Sequence, residues 1–177
     1  MNIDTSKLRE YVDKRMDSLG NLSDHGYIED AYHGTSQAEA ESILREGFRS
    51  PTRPGYFGKA IYFVESNPQA AIAFVTMVRK RVEQTAVLEC SVQARKTFFY
   101  NEIADIAGQL KWHAQNKMQK DITWEDFGTA LFDTLRKLGL NFQSVVWHTD
   151  IFMKKNIAVV LAVYDVNHVK ARKICKT

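Results

Sequence analysis

The sequence predicts an α+β domain, and three observations carry that expectation. Apolar, β-branched runs of about six residues read as strands. Longer stretches place apolar residues at helical spacing between capping residues. The whole is 177 residues long, which fits a single core. Residues 1–26 are expected to form a helical arm on a main body over 27–177, because Leu8, Tyr11, Val12 and Met16 recur at near-helical spacing from Ser6 to Leu19. Gly20 is a natural left-handed stop, and Asn21 to Gly26 a polar loop.

The run from Tyr27 to Tyr32 reads as a strand that leads into His33, Gly34 and Thr35. Ser36 and Glu39 form a capping box, the hydroxyl accepting a first-turn amide while the carboxylate reaches back. The helix they open should bury Ala40, Ile43 and Leu44 and end at Gly47 as its C′ residue. Pro51 to Gly58 holds two of the three prolines and two glycines, so it reads as a loop in which Tyr56 and the following Lys59 are exposed by default. Ala60 to Val64 is the next strand.

Asn67 and Pro68 then cap and open a helix through Ala71, Phe74, Val75 and Val78. It runs into Arg79, Lys80 and Arg81, read as a solvated helix end, since cations suit a helix C-terminus. Val87 to Val92 is a strand, and 101–139 is a helical insertion in which Thr123 caps a stripe of Phe127, Leu131, Leu135 and Leu138. That stripe is core, and Trp112, Trp124 and Trp147 fit helix or strand packing. Gln143–His148 and Ile157–Tyr164 complete the strands before a basic tail from Lys170.

Composition excludes several function classes. With 24 Lys and Arg against 21 Asp and Glu, the net charge of +3 is too weak to hold nucleic acid by phosphate neutralisation, so nucleic acid remains only as a substrate. Two cysteines, Cys90 and Cys175, are too few for a disulfide framework or a cysteine zinc site. His25, His113, His148 and His168 lack ligand spacing, and no metal is expected. No segment has the apolar run of a signal peptide or a membrane span. The expectation is a protein made without Sec export, in a reducing compartment such as the cytoplasm, with no membrane partner.

Chemistry concentrates in two segments, YHGTSQAEAESILREGFR over 32–49 and FGKAIYF over 57–63. A strand that ends in His-Gly sets a ring donor or acceptor beside a main chain that no β-carbon obstructs, an edge suited to a planar carboxamide. A tyrosine from a second strand can stack on an aromatic ring. With these motifs the chain, from about Ala31 to Lys170, resembles the catalytic domain of the diphtheria-toxin-like ADP-ribosyltransferases, in particular the poly(ADP-ribose) polymerase branch.

The resemblance implies two small packed antiparallel or mixed sheets, a split β core with flanking helices, that carry NAD+ in a cleft between strand ends. It implies that Gly34 binds the nicotinamide carboxamide through its main chain, with Thr35 beside it. His33 would hold a hydroxyl of the adenosine ribose, and Tyr62 would stack on nicotinamide. Arg49 would contact the adenosine side, where a guanidinium suits phosphate or ribose oxygens. Phe74 is the nearest candidate for a second stacking aromatic, with Ala73 as the alternative.

The departure comes at the third motif, where the family expects a glutamate in the last conserved strand and this chain has Val160. Losing one preorganised electrostatic group costs on the order of 3–4 kcal/mol, roughly 10²–10³-fold in rate. The resemblance then implies a mono-ADP-ribosyltransferase that borrows its acceptor's carboxylate, the acceptor being a protein or nucleic acid that the sequence does not identify. Two alternatives stand beside it: a nucleotide-binding module without turnover, or another carboxylate, Glu89, Glu102 or Glu125, folding into the site. The tRNA 2′-phosphotransferases share the His-Gly-Thr element but need basic residues for an RNA phosphate, and no such cluster lies near His33.

Overall fold

Helix signals act locally, and the helices with a capping side chain start where the sequence places them. In a computed structural model that describes residues 5–19, 22, 24–79, 85–150 and 157–175, helix α1 spans Ser6–Leu19, α2 Gln37–Glu46, α3 Pro68–Arg79, α4 Ala104–Met118 and α5 Trp124–Lys137. Ser36 and Glu39 make both halves of the capping box on α2, and Gly47 follows at φ 82°. Asn67 Oδ1 accepts from the Ala70 amide at 3.0 Å. The Thr123 hydroxyl accepts from the Asp126 amide at 3.1 Å, so Thr123→Ala is expected to lower stability by about 1 kcal/mol. In thermal melts this should read as a fall of about 2–4 °C. Gly20, Asn21, Lys80 and Arg81 lie outside the described residues.

Seven strands make the sheet: β1 Gly26–Ser36, β2 Ile61–Glu65, β3 Thr85–Ala94, β4 Thr97–Phe99, β5 Ser144–Thr149, β6 Ala158–Val163 and β7 Val169–Cys175. Their order is β4-β5-β6-β2-β1-β3-β7, mixed because β4 and β5 run parallel. This corrects the expectation of two packed sheets. Strand β2 bonds to both β6 and β1, so the sheet is continuous, but its pairing with β1 consists of Ala31 with Glu65 and Tyr32 with Val64. Two wings thus meet at a short seam.

Strands β4 and β7 are absent from the sequence reading. The segment from Lys170, read as a basic tail, is the outermost strand beside β3. Lys170, Arg172 and Lys173 are exposed while Val169 and Ala171 pack on the core. Exposed cations along an edge strand discourage pairing with a second chain. Across the strand, Glu89 takes Arg172 at 2.6 Å and Lys173 at 3.1 Å.

Helix α2 covers one face of the sheet through Ala40 and Ile43, against Phe63, Leu88 and Leu161. Helix α3 lies on the other face, its Ala70 and Ala71 against Val64 and Val87. On that same face α1, α4 and α5 enclose the largest core, in which Leu8 and Val12 are fully buried with Phe57, Phe98, Phe132 and Val160. The amino-terminal helix is therefore part of the main core. Leu44 at 40% and Trp112 at 61% exposure correct the expectation that both pack inside. Among the described residues no helix is long and apolar enough to cross a membrane.

Candidate functional site

The three motifs, separated by up to 127 positions in sequence from His33 to Val160, fall on three neighbouring strands. Residues 33–35 end β1, Tyr62 is the second residue of β2, and Val160 the third of β6, in the spatial order β6-β2-β1. Val160 is the Cα partner of Val64, two residues along from Tyr62, and of Trp147 on its other side. It has no exposed surface.

At the seam the ladder between β1 and β2 stops at Tyr32, so from His33 onward β1 has β3 on one side and no strand pairing from β2 on the other. In its place His33 Nδ1 donates to the Tyr62 carbonyl at 2.8 Å. This bond fixes the proton of the neutral ring on Nδ1 and makes Nε2 an acceptor, the polarity that a ribose hydroxyl needs. The half-buried ring packs edge-on against Phe48 at 5.3 Å and tilted against Phe63 at 5.6 Å. Thr35 is buried beside it, donating to Glu39 at 2.5 Å. Arg49, directly after Phe48, pairs with Glu46 and keeps its side chain 80% exposed.

Side chains alternate along a strand, so the Tyr62 ring emerges on the opposite face from His33. Gly34 shares that face with Tyr62, beneath α3. A β-carbon on Gly34 would stand 2.5 Å from the Ala71 carbonyl oxygen and 3.0 Å from Val75 Cγ1, so only glycine lets the helix lie this close. Phe74, one position before Val75, stacks on Tyr62 at 5.7 Å and 26°. Of the two candidates for the second aromatic, it is Phe74 whose ring meets Tyr62.

The loop over 51–60 departs most from its sequence reading. Phe57 is fully buried and Tyr56 half-buried, where exposure is expected of a loop. Buried loop backbone must find hydrogen-bond partners, and here phenols supply them. The Phe57 amide donates to the Tyr62 hydroxyl at 2.7 Å, and that hydroxyl donates to the Gly58 carbonyl at 3.0 Å. The Tyr164 hydroxyl donates to the Phe57 carbonyl at 2.7 Å. Phe57 stacks on Tyr62 at 6.1 Å and 24°. Tyr56 lies between Trp124 and Trp147, 5.3 Å from each ring. The adjacent aromatics Tyr56 and Phe57 inside a Pro- and Gly-rich segment were the signal that the loop is anchored.

Burial holds the Tyr62 phenol well above the ordinary tyrosine range and pushes Tyr56 up to about 12, with the Glu125 charge adding to both. Of the three carboxylates named as substitutes for the missing glutamate, Glu89 is engaged by Arg172 and Lys173, and Glu102 accepts from the Tyr11 hydroxyl at 2.6 Å. Glu125, in the first turn of α5, is the one whose charge acts on the Tyr62 phenol. Among the described residues no group of three or more His, Cys, Asp or Glu side chains is placed to hold a metal ion. No protein-family model matches the chain, and no curated protein matches its sequence.

Proposed function

We propose that the chain binds NAD+ along the seam between β1 and β2 and transfers its ADP-ribose to an acceptor, with release of nicotinamide. The observation that carries this reading is the gathering of His33, Gly34, Tyr62 and Val160 onto three adjacent strands, at the point where β1 and β2 part. Gly34 and Tyr62 share one face and His33 takes the other, so a dinucleotide that reaches all three runs along the seam, its nicotinamide on the α3 side and its adenosine ribose toward His33.

In the transfer, the bond between the nicotinamide nitrogen and the ribose carbon breaks toward an oxocarbenium, nicotinamide leaves, and the acceptor's nucleophile closes on that carbon. Gly34 orients the carboxamide, Tyr62 holds the pyridine ring, and His33 Nε2 accepts from a hydroxyl of the distal ribose. With an aliphatic residue at 160, the positive charge is offset by a carboxylate of the acceptor, which favours single transfers over chain growth.

Binding without turnover is the second reading, favoured by one observation: Val160 is sealed in the core, and Glu89 and Glu102 are held by other partners. Labelled NAD+ incubated with a lysate separates the two, because transfer labels protein or nucleic acid and a binding module labels neither.

His33→Ala removes one half-buried ring and leaves the strand ladders intact, so its melting temperature should stay within about 5 °C of the parent. Its NAD+ affinity, read by calorimetry, should fall at least tenfold, about 1.4 kcal/mol. Equal affinity in the parent and the variant would remove the seam as the site.

A further inference from the structure

On the reading that His33 Nε2 receives the adenosine ribose, the aim of that nitrogen depends on the plane of the ring. The bond from His33 Nδ1 to the Tyr62 carbonyl, at 2.8 Å, anchors one corner of the imidazole. A carbonyl oxygen accepts over a broad range of directions, so this bond by itself lets the ring tilt. The remaining angle is set by what packs against the ring.

Two aromatic rings pack there. Phe48 meets His33 at 5.3 Å and 83°, Phe63 meets it at 5.6 Å and 52°, and the two phenylalanines meet each other at 5.7 Å and 69°. Each of the three rings thus touches the other two, at separations usual for aromatic pairs. Phe63 is 1% exposed, and its place in β2 is set by pairing with Leu161 of β6, so it serves the core whatever His33 does. Phe48 lies in neither helix nor strand, one residue past Gly47, whose φ of 82° turns the chain at the end of α2. It is half-buried and rests on the same core as Phe63. An aliphatic side chain would cover the core equally well at this point, whereas an edge-on ring also restricts the plane of the imidazole.

We infer that Phe48 is a positioning residue: its ring holds the His33 imidazole in the plane that keeps Nε2 aimed at the distal ribose. The inference rests on the functional reading above and concerns the adenosine half of that site, since Gly34 and Tyr62 face the other side of the sheet. Loss of one aromatic pair changes an equilibrium by roughly two- to tenfold.

Calorimetric titration of NAD+, ADP-ribose and nicotinamide into the parent and Phe48→Leu tests this. Leucine keeps apolar bulk and loses the flat ring, so NAD+ and ADP-ribose should bind about two- to tenfold more weakly. Nicotinamide, which does not reach His33, should bind as it does to the parent. In the His33→Ala background the same substitution should change nothing, because an effect that travels through His33 ends with it. Weakening that persists there means that Phe48 touches the ligand itself and overturns the positioning role. Equal weakening of all three ligands, or no weakening, overturns it as well and leaves the seam as the site. Nitrogen NMR of the imidazole in the ligand-free protein decides the matter where His33→Ala binds too weakly to titrate. The parent should show the proton on Nδ1 and Phe48→Leu a mixture of both tautomers, and identical spectra overturn the role. Thermal melts show whether each variant is folded, and Phe48→Met, whose flexible chain fills irregular gaps, replaces the leucine variant if that one is not. A parent that binds none of the three ligands overturns the seam as the site and this role with it.

Discussion

Tyr62→Ala is expected to lose about 3–5 kcal/mol of stability for the missing ring. A further loss of about 1–3 kcal/mol comes from stranding the groups its hydroxyl serves. The ring stacks on both Phe57 and Phe74, and the hydroxyl accepts from the Phe57 amide while donating to the Gly58 carbonyl. Gly55 lies so near that a β-carbon there would stand 2.7 Å from the Tyr62 ring, so the loop also rests on this side chain directly. At about 2–4 °C for each kcal/mol in a chain of this size, the melting temperature should drop by at least about 8 °C. A drop of less than about 3 °C would mean that the loop is held elsewhere. Tyr62→Phe separates the two contributions, because it keeps the stack and should lose about 1–3 kcal/mol. It is also the better variant for binding studies, since the alanine variant confounds a lost ligand contact with a loosened core.

Gly128→Ala and Gly108→Ala should change stability in opposite directions, though both replace glycine inside a helix. Alanine favours the helical state by about 1 kcal/mol wherever its methyl group finds room. At Gly108 in α4 an added β-carbon meets nothing within 4 Å, so a gain of about 0.5–1 kcal/mol is expected. At Gly128 in α5 it would stand 1.9 Å from the Tyr56 carbonyl oxygen and 2.9 Å from the Tyr56 carbonyl carbon. Both are backbone atoms of the loop, and Tyr56 is itself wedged between Trp124 and Trp147. The helix must back away and take Phe127, Leu131 and Leu135 with it, side chains that are essentially fully buried. Overpacking of this kind outweighs the helical gain, for a net loss of about 2 kcal/mol or more. Equal melting temperatures for the two variants would show that α5 does not bear on the loop.

The proximity of α5 to the loop was not legible in the sequence, whereas the start of α5 was. Thr123 caps its helix with its own hydroxyl, as Ser36 and Asn67 serve theirs, and each of these bonds spans three residues or fewer. Signals of that range need no knowledge of the rest of the chain. Apolar, β-branched runs likewise marked β1, β2, β3, β5 and β6, because their burial on a sheet requires it. Edge strands escape that logic. Strand β7 carries Lys170, Arg172 and Lys173 outward and counts as a strand through its bonds to β3, which lie some 80 positions earlier in the chain. Strand β4 has three residues and reads as a strand through its pairing with β5.

By itself the sequence determined the capped helices and the interior strands, and it singled out His33, Gly34, Tyr62 and the aliphatic Val160, on which the proposed site rests. Tertiary structure alone decided that the two wings join into one sheet at a two-pair seam, that the proline loop is anchored by phenols, and that Phe57 and Phe74 both stack on Tyr62. The physical reason is range. Capping and periodicity are satisfied by neighbours in sequence, whereas a ring stacks and a sheet closes on partners that only the folded chain brings into contact.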